Sequence, residues 1–287
     1  MTMFGPAILA RTLSTLGPET KHGIRWQYHS RSDRHSKVAS WGVAFDLLAS
    51  SAVLRQHAED GKIILGVNHT MSDYIAHRKK DLDLVIARPG EEPTDAEGLT
   101  LASLVDTYGI ELTPQEQDVL DGLPTLRVAP VGSVLIAMEA KAAMTAHVKA
   151  LPRLYDELSS SHACVHGENE PALAIAYVQV NMAEKFISSN PKNVDLIARG
   201  LDPEISQHRQ PSDTERVLDK LRSLRVRTDA DGVGFDAIGV TVLEMVNDGT
   251  PATVVSRKPA PQRGDSFHYA SMVMRMATRY DTQFRHI

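Results

Sequence analysis

Cysteine is almost absent from these 287 residues: Cys164 is the only one. An intramolecular disulfide is therefore impossible, and so is a cysteine-rich zinc site, which points to a reducing, cytoplasmic setting. Long apolar runs are missing too. The longest, Val134–Met138 and Ala172–Val178, fall far short of the roughly 18 residues that cross a bilayer, so no membrane partner is expected. Residues 1–17 lack the basic leader and long apolar stretch of a secretory signal. Nor is there a basic excess, since the formal net charge is −5. No repeat or low-complexity tract breaks the chain. What is present, 42% hydrophobic and 23% charged residues, is ordinary for a globular protein long enough to bury a large core without staples.

Charge is distributed unevenly. Residues 1–40 carry six Lys/Arg against Glu19 and Asp33, and residues 257–287 carry six more against Asp265 and Asp281. Residues 91–126 hold nine acids and no Lys or Arg. The two basic ends could face phosphate, whereas the acidic stretch should avoid it.

Hydrophobic spacing predicts a helix from Lys37 to about His57, with Ser36 as its cap. Strands are expected over Lys62–Val67 and Asp81–Arg88, joined by a polar connection from Asn68 to Lys80. Two short helices, Leu99–Tyr108 and Thr113–Leu123, suggest a packing or association hairpin; a DNA-reading helix should not be purely acidic. A third strand, Ser133–Lys141, leads into a helix over Ala142–Ser160, which Pro152 should kink or restart. Ala172–Asn181 reads as a central, covered strand. Beyond an irregular stretch to Gln210, a helix to about Val226, strands at Phe235–Val246 and Thr253–Ser256, and a last helix from Asp265 to Phe284 are expected. The fold class is α/β, with a central mixed β-sheet flanked by helices. Residues 1–36 form a basic N-terminal segment, 37–190 the core with a helical insertion at 91–130, and 191–287 a C-terminal α+β extension.

Charged residues inside apolar strands carry the chemical signal. In Lys80-Asp81-Leu82-Asp83-Leu84-Val85-Ile86, the two carboxylates share a face by strand alternation. Glu139 and Lys141 do the same in Leu135-Ile136-Ala137-Met138-Glu139-Ala140-Lys141. Burying such charges is costly without partners. If the strands are neighbours, Asp83, Glu139 and Lys141 converge. Two close carboxylates repel, and a hard divalent cation such as Mg²⁺, for which Mn²⁺ can substitute, resolves the repulsion. A lysine beside them can orient a water and offset charge on a phosphorane. Glu139-Ala140-Lys141 alone is a common tripeptide, and a plain ion pair remains its bland reading.

Over about residues 37–181 this arrangement resembles the PD-(D/E)XK nuclease superfamily, with its restriction-endonuclease-like core. The resemblance implies a Mg²⁺-dependent DNA endonuclease in which Asp83, Glu139 and Lys141 are catalytic and Asp83 and Glu139 hold metal. Leu82 stands where the name-giving proline would be, which leaves Asp81 as a competing ligand. Many members add an acid from the first helix, and the matching position is Asp46. Ser40-Trp41-Gly42-Val43 through Leu48, with Val134 through Lys141, is also similar to bacterial antiphage effector nucleases that form trimers and respond to cyclic oligonucleotides. That similarity implies a homo-oligomer and a small-molecule or protein activator. Double-stranded DNA is the expected substrate, with Lys149 and Arg153 on one helix face and Arg275 and Arg279 on the last helix as phosphate contacts. Gln179 and Asn181 could reach the site or serve the core edge. His162-x-Cys164-x-His166 and Gly232-Val233-Gly234 are too incomplete for a metal site or a dinucleotide loop.

Overall fold

The computed structural model describes residues 2–74, 77–91, 98–228 and 232–287. In chain order its elements are α1 (Gly5–Leu13), α2 (Arg34–Ser50), α3 (Ala52–Glu59), β1 (Ile64–Asp73), β2 (Arg78–Pro89), α4 (Leu104–Tyr108), α5 (Pro114–Asp121), β3 (Val131–Ala143), α6 (His147–Glu168) and β4 (Leu173–Asn181). There follow β5 (Lys185–Ile187), α7 (Pro191–Ala198), β6 (Ile205–Gln207), α8 (Ser212–Arg222), β7 (Ala237–Glu244), β8 (Thr253–Val254) and α9 (Tyr269–Gln283). Among the described residues, the central sheet has the order β1-β2-β3-β4-β7-β8. The first three strands form an antiparallel meander, β3, β4 and β7 run parallel, and β8 closes antiparallel. This is the expected α/β class with a mixed sheet. No single helix among the described residues is long and apolar enough to cross a membrane.

Every residue of β4 is buried, because helices cover both faces of the sheet. Ile136, Met138, Ile175 and Tyr177 pack into one core with Val43, Leu47 and Met276 of α2 and α9. Ala137, Ala176 and Val178 pack into the other with Leu154, Leu158, Val217 and Leu221 of α6 and α8. Trp41 is fully buried and stacked on Phe45 at 5.2 Å. Its indole N–H donates to Leu101 O at 2.7 Å, tying the acidic insertion to the first core. Leu104, Leu120 and Leu126 of that insertion join the same core, so it is a packed part of the fold. Residues 92–97 of the predicted insertion lie outside the described residues.

Several boundaries differ from expectation, each for a local reason. The predicted helix from Lys37 to His57 is two helices, bent by 99° at Ser51. Ser51 is extended, and its Oγ accepts from Leu54 N at 2.8 Å, capping a new helix within an uninterrupted apolar pattern. The cap position of α2 is Asp33, and Ser36 lies inside its first turn. The predicted polar connection is largely strand: Thr70↔Asp81, Met71↔Lys80 and Ser72↔Lys79 pair as a ribbon whose exposed side chains show no apolar alternation. Ala142 and Ala143 continue β3, since Gln179 and Val180 pair with them, and α6 starts only at His147. That helix passes through Pro152; the carbonyl left without its usual donor belongs to Val148, which is 48% exposed.

The terminal segments are more integrated than predicted. Ile8, Leu9 and Leu13 of α1 are buried, and the basic residues near them are engaged at home. Arg11 pairs with Glu116 at 2.6 Å, and Arg34 donates to Thr12 O and Thr15 O at 2.9 Å each. At the other end, β7 enters the sheet beside β4, and Gly239 admits α9 so closely that a Cβ there would sit 2.4 Å from Met272 Sδ. The predicted C-terminal extension therefore supplies sheet strands and one wall of the core.

Asp236 anchors that wall. It is buried, receives Ala174 N at 2.7 Å and Arg227 Nε at 2.8 Å, and is also paired with Arg279 of α9. Removing one partner of a buried charge cluster strands the others. Asp236→Ala should lower unfolding stability by about 3–5 kcal/mol in urea titration, against less than about 1 kcal/mol for Asp195→Ala at the exposed Arg199 pair. Equal losses at the two positions would show that the buried cluster carries no special weight.

Candidate active site

The site forms where β2 and β3 part. Their ladder runs from Pro89↔Val131 to Leu84↔Met138 and ends there. Beyond that pair β2 continues only with β1, through Leu82↔His69, while β3 continues only with β4, through Glu139↔Ala176 and Lys141↔Val178. Ala140 N would be left without an acceptor in the gap. Asp83 Oδ2 fills that role at 2.8 Å. The predicted convergence is therefore real: Asp83, Glu139 and Lys141 meet at the fork.

Glu139 is 2% exposed. Its Oε1 lies 2.6 Å from Lys141 Nζ and 3.7 Å from Lys80 Nζ. Lys141 is thus the donor nearest Oε1, whereas Oε2 has none among the described residues, an expensive state for a buried acid. Lys141 Nζ also lies 3.6 Å from Glu157 Oε2 of α6, and Glu157 in turn holds Arg153 Nε at 2.6 Å. From α2, the Ser36 hydroxyl, which donates to Asp33 O at 3.0 Å, comes within hydrogen-bonding reach of Asp83, and His35 stands within the field of Lys141.

Burial raises the carboxyl pKa of both Asp83 and Glu139; Lys141 opposes the rise at each, and for Glu139 the neighbouring Asp83 adds to it. Burial pulls the Lys141 ammonium down, but Glu139, Asp83 and Glu157 together outweigh it and hold its pKa above the ordinary value. His35 is pushed down to about 4 by burial and by Lys141. The fork thus contains two carboxylates that resist ionisation beside a lysine that stays charged.

Among the described residues, no group of three or more His, Cys, Asp or Glu surrounds a common point. Asp83 and Glu139 offer two carboxylates, and Mg²⁺ commonly takes only one or two, completing its shell with water and phosphate oxygens. The buried Oε2 of Glu139, without a donor among the described residues, fits that demand.

The remaining predicted residues separate. Asp81 is exposed and accepts from Thr70 Oγ1 at 2.5 Å, away from the fork. Asp46 is a correction: its carboxylate binds Phe4 N (3.0 Å), Gly5 N (2.8 Å) and Tyr269 Oη (2.8 Å) at the start of α1. It sits ten residues beyond Ser36, about 15 Å along α2, so it reaches no metal held by Asp83. Arg275 and Arg279 are corrected likewise. Arg275 donates to Arg227 O at 3.1 Å, and Arg279 donates to Thr228 O and Asp236, so both bind α9 to its own wall. Lys149 and Arg153 remain exposed on α6. Gln179 is buried on the opposite face of the sheet from Glu139, sharing that of Tyr177, with Oε1 unpartnered. Asn181 serves backbone, donating to Met144 O (3.0 Å) and Met245 O (2.8 Å). His162, Cys164 and His166 lie on α6, where His166 pairs with Gly234 O. Lys80, Glu157, His35 and Ser36 were not foreseen. Lys80 stood only at the end of the predicted polar connection, Ser36 only as a helix cap, and nothing in the local pattern marks the other two.

No protein-family model, curated protein or solved structure matches this chain.

A carboxyl with a raised pKa stabilises the fold below its unfolded value and loses that contribution as pH rises through the folded value. The metal-free thermal midpoint of the wild type should therefore fall from about pH 4 toward neutrality more steeply than that of Glu139→Gln, which has lost one of the two raised carboxyls. Added Mg²⁺ should raise the midpoint of the wild type by several degrees but not that of Asp83→Asn or Glu139→Gln. Equal Mg²⁺ shifts in all three would exclude these ligands.

Proposed function

We propose that the chain is a Mg²⁺-dependent endodeoxyribonuclease of the PD-(D/E)XK type, hydrolysing phosphodiester bonds in double-stranded DNA. The observation that carries this reading is the buried carboxylate pair Asp83–Glu139 beside Lys141 at a forked strand pair, with Glu139 Oε2 lacking a donor among the described residues. A cytoplasmic location accords with a single, buried cysteine. Cutting both strands calls for two sites, hence a homo-oligomer.

Asp83 and Glu139 would hold the cation. Mg²⁺ bound there would polarise a phosphate oxygen and make a bound water more acidic. Asp83, fixed through Ala140 N, sets the position of its free oxygen without needing a flexible loop. Lys141, kept charged by three carboxylates, donates toward the attacking water and the developing phosphorane charge. Glu157 holds that ammonium from the α6 side, and Arg153 offsets the charge of Glu157. Lys149 and the outer part of Arg153 lie one turn apart on the exposed face of α6, where flanking phosphates would lie.

Asp83→Asn or Glu139→Ala should abolish Mg²⁺-dependent cleavage of plasmid DNA while leaving the protein folded. Lys141→Met should slow single-turnover cleavage at least about a hundredfold, with DNA affinity in Ca²⁺ little changed. Weak binding with normal cleavage at saturation would make Lys141 a phosphate anchor instead.

Replacing Lys149 and Arg153 by Ala should flatten the salt dependence of DNA binding by about one unit per lost phosphate contact. Arg275→Ala should leave that slope unchanged, because its guanidinium binds Arg227 O. The reverse pattern would place DNA along α9.

A further inference from the structure

Two ammonium groups face Glu139 Oε1, one from each prong of the fork, and they are held very differently. Lys141 shares β3 with Glu139, lies 2.6 Å from Oε1, and has a second acid, Glu157 of α6, at 3.6 Å. Lys80 comes from β2, across the gap, and lies 3.7 Å from Oε1. Among the described residues, Glu139 is the only acid within ion-pair reach of Lys80. A separation of 3.7 Å is longer than a hydrogen bond, so charge alone holds this ammonium.

The β1–β2 ribbon delivers Lys80 to the gap. Strand alternation puts Lys80 and Leu82 on one face of β2, and the register sets Lys80 against Met71 of β1. Met71 and Leu82 are buried in the second core with Leu154 and Leu158 of α6. The neighbours of Lys80 on that face are therefore apolar, which suits its aliphatic stem, while its side chain stays 19% exposed. The other charges of the ribbon are placed elsewhere. Arg78 and Lys79 are exposed, Asp81 accepts from Thr70, and Asp73 stands opposite Arg78 in the register.

With a divalent cation on Asp83 and Glu139, the charge that holds Lys80 is taken up and the cation repels the ammonium. Lys141 then still has Glu157, whereas Lys80 has no acid left. Phosphate oxygens that complete the shell of such a cation come close to this partly exposed ammonium. We infer that Lys80 is a stored phosphate ligand. In the metal-free protein its ammonium rests on Glu139, and with the cation bound it passes to a phosphate oxygen of the DNA strand. Cation and DNA binding then reinforce each other, as linkage requires. The role rests on the nuclease reading and adds to it a residue that exchanges one partner for another.

The test measures binding of a short fluorescent DNA duplex at low salt, once in EDTA and once in Ca²⁺, for the wild type, Lys80→Met, Lys80→Gln and Lys149→Ala. In EDTA both Lys80 variants should match the wild type to within about twofold, since the ammonium is then on Glu139 and not on DNA. In Ca²⁺ they should bind about tenfold more weakly than the wild type, with a salt slope about one unit flatter. Lys149→Ala, at a contact with no stored state, should lose the same factor in both conditions. Without DNA, acetylation mapped by mass spectrometry should speed up at Lys80 when Ca²⁺ is added and stay slow at Lys141. Equal losses in EDTA and Ca²⁺, no loss in either, or acetylation of Lys80 indifferent to Ca²⁺ would each overturn the inference. The nuclease reading would survive those results if Ca²⁺ tightens DNA binding by the wild type and not by Asp83→Asn. A wild type whose DNA binding ignores Ca²⁺ would overturn both.

Discussion

The divergence of β2 and β3 beyond Leu84↔Met138 is the constraint from which the candidate site follows. A β-strand at the centre of a sheet must have both its edges satisfied. β3 meets this demand asymmetrically: β4 serves one edge along Ile136–Ala143, whereas β2 serves the other only as far as Met138. At Ala140 the missing strand is replaced by a side chain, Asp83. One carboxylate therefore does structural duty with one oxygen while its charge acts on Glu139 and Lys141. Had β2 stayed in register for two more residues, its backbone would have filled the gap and Asp83 would have pointed elsewhere.

The cost of this arrangement is concentrated in Glu139. It is buried, offset by two lysines on one oxygen, and its Oε2 has no donor among the described residues. By contrast the other buried acids are well satisfied. Asp46 accepts from two backbone N–H groups and a tyrosine, and Asp236 from a backbone N–H and two arginines. Buried carboxylates thus serve architecture at Asp46 and Asp236, whereas Glu139 faces only lysine ammonium groups. That difference, more than the presence of charge in a strand, sets the fork apart from the rest of the interior.

Charge counted along the chain is a poor guide to which surface meets a polyanion. The basic N-terminal segment holds Arg11 and Arg34 against Glu116 and backbone carbonyls, and the basic C-terminal helix holds Arg275 and Arg279 against the segment it packs on. Arginine has five donors in a fixed fork and satisfies carbonyls at loop ends as readily as phosphates. Lys80, on a strand ribbon that the sequence presents as a loop, stands at the fork, 3.7 Å from Glu139 Oε1.

The sequence alone determined the α/β class, the order of the main strands and helices, and the catalytic candidates Asp83, Glu139 and Lys141. These are legible locally, because apolar periodicity and a charge inside an apolar strand each span only a few residues. Only the tertiary structure set Asp83, and not Asp81, against Ala140 N, tied Asp46 and the arginines of α9 into other contacts, and brought Lys80, Glu157, His35 and Ser36 to the fork. Those outcomes depend on sheet register, on which face a helix presents, and on where two strands separate. Each is set by contacts between residues tens of positions apart, such as Asp83 with Ala140 or Asp46 with Tyr269, which no local pattern encodes.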